Sequence, residues 1–456
     1  MTEPLPDGGW TRPGPMNGTD TLFWRLGGDP LTRPHVSWVW YLEAAPDREV
    51  FLRGCERAVR RLPRLTHRVA DTALGVGPPS WIPDPDFRLT RHVRQVRLAA
   101  PGGERELLDM VEWRNSAAFD PAHPPWDLTL VDGCADDRAA VILTWHHSVG
   151  DAVTIVAAAR RLLTEEPGPR PPGRGAAPQA APPAPPTVRS AVADLAGEAR
   201  DALRTGVRGL SAAGGTGAGA RLTAYALSRT LSPWSPSPLL AGRSAALRFG
   251  SLTVPLPELK AAGKAAGVSV TSAYVAAVLG AFSRYHGHHG VVRDALPVLV
   301  PVSLRRPDET GSGNLVAGVL VSGPIGDMPA RARMAAVHES VAEARGAVVR
   351  EAYTLMAGVG ALLPRPLWRR LAPAVLRGID VVVTSVPGLP DTAAAGARIT
   401  HAVPWAPRGG AAANISMASH GDLCGVGTNL DPAAVTDPDL FHRFLADSFD
   451  ETLRQR

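Results

Sequence analysis

The stretch Val141–Thr154, VILTWHHSVGDAVT, constrains this chain more than any other. The segment Ala139–Trp145, which overlaps the start of this stretch, is apolar and rich in β-branched residues, which is typical of a buried strand. Two adjacent histidines, His146 and His147, follow it, and Asp151 stands where the N-cap of the next helix is expected. Because successive strand side chains point to opposite faces, one histidine should face the core and the other a cavity or channel.

Length and composition narrow the class of protein. A chain of 456 residues exceeds one ordinary core, so we expect two domains. The net charge of +5 is modest and dispersed, which gives little support for a nucleic-acid partner. The cysteines Cys55, Cys134 and Cys424 form no CxxC pattern, so neither a zinc site nor a disulfide framework is indicated. No signal peptide or membrane-spanning run is visible, and we expect a cytoplasmic protein.

The histidine stretch resembles a known catalytic motif. Residues His146–Ala152 read HHSVGDA, which is similar to the HHxxxDG motif of acyl-CoA-dependent acyltransferases. These enzymes share a fold with chloramphenicol acetyltransferase and with the condensation domains of peptide synthetases. The match covers six of the seven motif positions, because the closing glycine is replaced by Ala152.

The flanking chain resembles the bacterial wax ester synthase/diacylglycerol acyltransferase family over about residues 16–450. Short segments similar to those of the family follow one another in the family's order. They are Met16–Arg25, Leu62–Val69, Trp81–Val96, Pro101–Val111, Pro125–Gly133, Leu296–Leu304, Gly313–Asn314 and Asp380–Gly388.

The resemblance implies an α/β fold with two chloramphenicol-acetyltransferase-like α/β sandwich domains that form a central tunnel. We expect an N-terminal half at 16–170 that carries the histidine motif, and a C-terminal half at 244–456. Between them, 171–243 should hold a Pro/Gly/Ala-rich linker and a crossover helix. Helical spacing also predicts a helix over Arg48–Arg61, and Asp20 is expected to cap a short helix that starts with Leu22 and Phe23.

Ester formation from an acyl thioester requires that the alcohol loses a proton, that the oxyanion is stabilised and that water is excluded. By resemblance, His147 is the general base, and His146 is structural and lies under the strand end. Asp151 is carried over as a structural residue that caps the helix or pairs with an arginine, for which Arg64 and Arg68 are the candidates. The resemblance implies no metal, no cofactor and no covalent intermediate. Acyl-CoA is a co-substrate, and the acceptor is an alcohol or diacylglycerol.

Other residues lack a supporting pattern. Trp126 is expected to pack in the core rather than to contact substrate. The remaining histidines are expected at the surface or as hydrogen-bonded core residues. They are His35, His67, His92, His123, His286, His288, His289, His338, His401, His420 and His442.

Two departures from the family pattern leave the acceptor open. Ala152 replaces a glycine, and Ser272-Ala273 replaces an Asn-Asp pair. These changes favour a small-molecule or carrier-bound acceptor over a standard storage lipid. The alternatives are therefore wax ester or triacylglycerol synthesis, and acylation of another alcohol or amine in specialised metabolism. A non-catalytic lipid-binding relative is a third, which the intact His147 disfavours. The interfacial composition of Ala352–Leu376 leaves open contact with a membrane or lipid droplet, although core packing explains it equally well.

The segment Pro167–Pro186 provides a test of the predicted division. Its composition cannot bury a face, so it should be an exposed tether. We expect that proteolysis within 167–186 leaves both fragments associated and active, as measured by gel filtration followed by an activity assay. If the fragments separate and activity is lost, the segment is a structural clasp and the division is wrong.

Overall fold

A computed structural model describes residues 13–72, 77–151, 154–155, 235–303, 314, 316–344, 367, 378–389 and 391–456. Within these residues the fold is α/β, with two six-stranded sheets and a small three-stranded sheet. We refer to the described residues up to 155 as the first half and to those from 235 onward as the second half. The predicted tether 167–186 lies outside the described residues, and so does the predicted interfacial segment 352–376 apart from Leu367.

The first half alternates strands with helices. Its elements are β1 (Gly14–Pro15), α1 (Gly18–Leu26), β2 (His35–Leu42), α2 (Arg48–Arg61), β3 (His67–Ala70), β4 (Ser80–Pro83), α3 (Leu89–His92), β5 (Val93–Arg97), α4 (Glu104–Ser116), β6 (Trp126–Asp132) and β7 (Ala139–His146).

The second half begins with strand β8 after a short turn at Pro238–Leu240. Its elements are β8 (Arg248–Pro255), α5 (Leu256–Ala265), α6 (Val270–His288), β9 (Ala295–Ser303), β10 (Val316–Pro324), α7 (Ala330–Ala344), β11 (Val381–Leu389), β12 (Ala393–Ala394), β13 (Ala397–Trp405), β14 (Ala413–His420), β15 (Leu423–Leu430) and α8 (Pro438–Leu453).

The histidine strand β7 lies inside the first sheet, whose order is β12-β13-β2-β7-β6-β5. Its two antiparallel neighbours are β2 and β6. Strand β2 is buried on both faces because helices cover both: Trp38 packs in the same cluster as Phe51 of α2, and Val39 packs with Val111 of α4. Burial on both faces explains why these strands read as continuous apolar runs in the sequence.

The second sheet has the order β10-β9-β11-β14-β15-β8 and packs on helices α6 and α8. Helix α6 is apolar nearly all round and fully buried at Val275, Val278 and Phe282, as expected of a central helix. Its Tyr274 hydroxyl donates to the backbone oxygen of Ile415 at 2.9 Å, which fixes the helix to strand β14.

One strand connects the two halves. Strand β13 belongs to the second half in sequence, but it pairs with β2 and so extends the first sheet. It also lies against β15, where a Cβ built on Gly425 would sit 1.9 Å from the oxygen of Ala402. A Cβ on Gly427 would sit 2.0 Å from the oxygen of Pro404. The predicted boundaries at 170 and 244 stay a prediction, and the sheet pairing shows that the two halves interlock.

A second junction lies at strand β8, the edge of the second sheet. Glu112 of α4 accepts a hydrogen bond from the backbone N–H of Phe249 at 2.6 Å. Arg105 of the same helix donates to the backbone oxygen of Phe249 at 2.8 Å and also pairs with Glu112. Two side chains of the first half thus satisfy backbone groups that an edge strand otherwise leaves to solvent.

Two of the local predictions are confirmed and one is wrong. The helix over Arg48–Arg61 is confirmed with the same bounds, and Trp126 is buried in the core as expected. The prediction that Asp20 caps the first helix is wrong. Helix α1 begins at Gly18, and Asn17 is its N-cap, whose side chain accepts from the N–H of Asp20. Asp20 is therefore one turn inside the helix, which leaves its carboxylate available for a different partner.

No single helix in the described ranges is long and apolar enough to cross a membrane. Helices α5 and α6 meet that test of length and composition only when taken together, as a pair bent by 96°.

Because β13 and β15 approach each other closely, we expect that adding one methyl group to Gly425 destabilises the fold. Gly425→Ala should lower the free energy of unfolding by about 1–3 kcal/mol, because its Cβ would force two backbones apart. The measurement is denaturant unfolding, with Gly287→Ala as the matched control. Gly287 is exposed in α6 and has open space around its Cα, so alanine there should be neutral or slightly stabilising. Equal stability of the two variants would contradict the described packing.

Candidate active site

The histidine pair lies at the end of strand β7. It ends at His146, and a single 3-10 turn, His147–Val149, follows. The backbone N–H of His146 donates to Pro125 at 2.9 Å, and that of His147 donates to Pro34 at 2.8 Å. The main chain of both histidines is thus fixed by the neighbouring strands' connections, as a preorganised site requires.

His146 points into the core. Its Nδ1 accepts from the N–H of Ser148 at 3.2 Å and lies 2.8 Å from the Ser148 hydroxyl. Its ring packs edge-on against Trp24 of α1, and a Cβ on Gly27 would lie 2.6 Å from its Nε2. Burial holds the pKa of His146 well below its ordinary value. These contacts agree with the structural role expected for His146, which stays a prediction.

His35 is a member of this cluster that sequence reasoning missed. It lies directly opposite His146 in the pairing of β2 with β7, and the two rings meet edge-on at 5.8 Å. Its Nδ1 hydrogen-bonds to the backbone oxygen of Asn115 at 2.9 Å, and burial lowers its pKa to about 3. The sequence predicted both strands but not their register, so it gave no signal for this contact.

His147 is less buried than His146. Its ring stacks on Phe23 of α1, with centroids 4.1 Å apart and planes within 14°. Burial lowers the pKa of His147, while its own backbone oxygen, Asp151 and Asn314 act in the opposite direction. A lowered pKa keeps the imidazole neutral at pH 7, which is the form that can accept a proton.

The prediction that Asp151 caps a helix is confirmed. Its buried carboxylate accepts from the N–H of Thr154 at 2.9 Å and from the Thr154 hydroxyl at 2.6 Å. Arg64 interacts electrostatically with Asp20, and its guanidinium lies over the ring of Trp81. The pairing of Asp151 with Arg64 or Arg68 stays a prediction.

Asp20 and Asn314 complete the cluster from two distant parts of the chain. Asp20 Oδ1 accepts from the backbone N–H of Asn314 at 3.0 Å and from its side-chain Nδ2 at 2.6 Å. The same Nδ2 donates to the backbone oxygen of His147 at 2.7 Å. Burial raises the pKa of Asp20 to about 6, against the opposing effect of these hydrogen bonds and of Arg64. Sequence reasoning noted Asn314 only as part of a short family-like segment, and Asp20 as part of another such segment and as a helix cap.

The arrangement presents one neutral imidazole on a rigid turn between the two halves. Among the residues that the structure describes, no group of three or more His, Cys, Asp or Glu side chains could hold a metal ion. A neutral imidazole in such a setting is chemically suited to accept a proton, and the role of His147 as general base stays a prediction.

Comparisons with known proteins identify the family of this chain. Residues 16–274 match the model of the wax ester synthase/diacylglycerol acyltransferase catalytic domain, and residues 312–452 match the C-terminal domain of the same family. A Mycobacterium tuberculosis H37Rv protein named as a diacylglycerol O-acyltransferase is 34% identical over 454 residues, which covers 96% of this chain and 91% of that protein.

Solved structures are similar in fold. The wax ester synthase/diacylglycerol acyltransferase from Marinobacter aquaeolei VT8 has a TM-score of 0.63 and 22% identity, and the match covers 96% of this chain and 98% of that one. The first condensation domain of the calcium-dependent antibiotic synthetase has a TM-score of 0.61 and 14% identity, covering 98% and 97%. The predicted two-domain α/β fold class is therefore confirmed, whereas the central tunnel stays a prediction. With both family models matched in order, the chain belongs to the wax ester synthase/diacylglycerol acyltransferase family and is an O-acyltransferase.

Proposed function

We propose that this enzyme transfers a fatty acyl group from acyl-CoA to an alcohol or to diacylglycerol, with His147 as the general base. The observation that carries the proposal is the setting of His147: a neutral imidazole stacked on Phe23, on a turn whose backbone is hydrogen-bonded on both sides. No metal or prosthetic group is required, because a thioester already has a good leaving group and the acceptor needs only to lose a proton.

In the proposed reaction, Nε2 of His147 takes the proton from the acceptor hydroxyl as its oxygen attacks the thioester carbonyl. The C–S bond then breaks, and the imidazolium returns the proton to the departing thiolate, which leaves as free CoA. The ester and CoA are the only products, and His147 ends in its starting form. The lowered pKa of His147 suits this cycle, because the resting ring is unprotonated and the imidazolium gives up its proton readily.

A second acceptor class remains open. Ser272, at a position where the family pattern has an Asn-Asp pair, contacts the helix cap Ser269 at 2.9 Å and His338 at 3.1 Å, and Ala273 beside it is fully buried. These contacts belong to the start of helix α6, so the departure is accommodated by packing. Acylation of a different alcohol or amine, with a CoA-bound or carrier-bound donor, is the alternative. Contact with a membrane or a lipid droplet likewise stays a proposal.

The experiment that decides between these acceptors is turnover with a panel of acyl-CoAs against long-chain alcohols, diacylglycerol and amines, read by product mass. Ester products from an alcohol or diacylglycerol support the proposal. Products with an amine alone, or acyl transfer only from a carrier-bound donor, support the alternative.

His147→Ala should lower turnover roughly 10²–10⁴-fold, because it removes the general base. The matched control is His401→Ala, since His401 stacks on Tyr41 with the same centroid distance of 4.1 Å. Residue 41 lies six residues along β2 from His35, which places this stack about 20 Å from the histidine pair. The control should lose stability without losing turnover. Near-normal turnover of folded His147→Ala would refute the proposed role.

The helix-capping role of Asp151 can be tested separately from any role of its negative charge. Asp151→Asn keeps a good N-cap and should retain stability and activity, whereas Asp151→Ala should lose about 1 kcal/mol of stability together with activity. Thermal unfolding and turnover are measured on the same samples. A stable but inactive Asp151→Asn variant would show that the negative charge takes part in the reaction.

A further inference from the structure

Asn314 lies between a buried carboxylate of the first half and the backbone of the proposed base. Its side-chain Nδ2 donates both of its protons, one to Asp20 Oδ1 at 2.6 Å and one to the oxygen of His147 at 2.7 Å. Its backbone N–H donates to the same Asp20 oxygen at 3.0 Å. Asn314 is itself buried, so these bonds are shielded from water.

The orientation of the Asn314 amide follows from its partners. A backbone carbonyl can only accept a hydrogen bond, and an ionised carboxylate can likewise only accept. The NH₂ group must therefore face both Asp20 and His147, and the oxygen Oδ1 must point away from them. Reversing the amide would place three acceptors together, which a buried site does not tolerate.

The backbone oxygen of His147 is also linked to the imidazole. That oxygen and the Asn314 side chain both interact with the ring and favour its protonated form. Nδ1 of His147 and Oδ1 of Asn314 are buried, and neither makes a hydrogen bond of normal geometry with the described residues. Because Nδ1 is buried against the protein, Nε2 is the ring nitrogen that we assign to the base.

We infer that Asn314 positions the His147 imidazole and its backbone for proton transfer, and that Asp20 holds Asn314 in place for this task. The inference rests on the proposed function of His147 as general base. The two anchors come from different halves of the chain, because Asp20 lies in α1 and Asn314 lies just before β10. The catalytic turn is therefore set correctly only when both halves are in place.

Truncation of either anchor should lower kcat and leave KM nearly unchanged, because neither residue is proposed to touch substrate. We expect Asn314→Ala and Asp20→Ala each to reduce kcat about 10–100-fold, the size expected when a catalytic group is misplaced by about 1 Å. Asp20→Asn keeps an oxygen that accepts from Asn314, so it should restore most of the loss seen in Asp20→Ala.

The double variant Asp20→Ala/Asn314→Ala provides the sharper measurement. If Asp20 acts through Asn314, the double variant should lose no more kcat than Asn314→Ala alone. It also serves when Asn314→Ala fails to fold, because it removes the buried carboxylate together with its side-chain donor, so that no buried carboxylate is left without that donor. Effects that multiply in the double variant would overturn the proposed chain of contacts.

The pH profile gives a readout that a purely structural role would not move. Asn314 raises the pKa of His147, so its removal should shift the acid limb of kcat to lower pH. The other described titratable or charged groups of this cluster are Asp20, Asp151, His35, His146 and Arg64. An unshifted acid limb in a folded Asn314→Ala variant with wild-type kcat would overturn the inference.

Asn429→Ala is the matched control. Asn429 is also buried, its Nδ2 donates to the backbone oxygen of Ala406 at 3.0 Å, and its Oδ1 is unpartnered among the described residues. Its loss should reduce thermal stability without reducing kcat.

His147→Ala, run in the same assay, distinguishes an error in the proposed base from an error in the proposed positioning role. If it retains turnover, the proposed base is wrong; if it is inactive while Asn314→Ala is fully active, only the positioning role is wrong.

Discussion

The close approach of two backbones, β13 on β15, is the constraint on which the rest of the structure depends. A strand from the second half can complete the first sheet only if it passes over the second sheet at a distance that excludes side chains. Gly425 and Gly427, which have no side chains, make this close approach possible. Because β13 pairs with β2, and β2 pairs with the histidine strand β7, this packing also fixes where the histidine motif lies relative to the second half.

Burial then sets the chemistry of the site. Dry surroundings disfavour charge, so His35, His146 and His147 all have lowered pKa values, and the carboxylate of Asp20 has a raised one. The His146 ring is hydrogen-bonded to Ser148, and the His35 ring is hydrogen-bonded to the backbone oxygen of Asn115. His147 is the partly exposed member of the three. Neutral rings packed together avoid the repulsion that charged ones would suffer, so the cluster is compatible with a tightly packed core.

The sequence was sufficient for the parts of the site that are local in the chain. The histidine strand, the cap at Asp151 and helix Arg48–Arg61 follow from patterns within a few residues, and they are confirmed. Contacts between distant segments were not predictable in this way. The meeting of His35 with His146 depends on strand register, and the meeting of Asp20 with Asn314 depends on how the two halves pack. The cap assigned to Asp20 was wrong because Asn17, three residues earlier, makes the same kind of hydrogen bond.

The side chains of α4 that satisfy the backbone of Phe249 also affect how this molecule behaves in a crowded solution. An open sheet edge is a template on which the strand of another molecule can add. At β8, Arg105 and Glu112 already bond the backbone groups of Phe249, so strand addition at that residue would first have to displace an ion pair. Exposed charges protect β5, one of the two edges of the first sheet, where Arg94 and Arg97 are exposed. A strand added at that edge would have to remove these charged side chains, including the Arg97–Asp132 ion pair, from water, which opposes aggregation there.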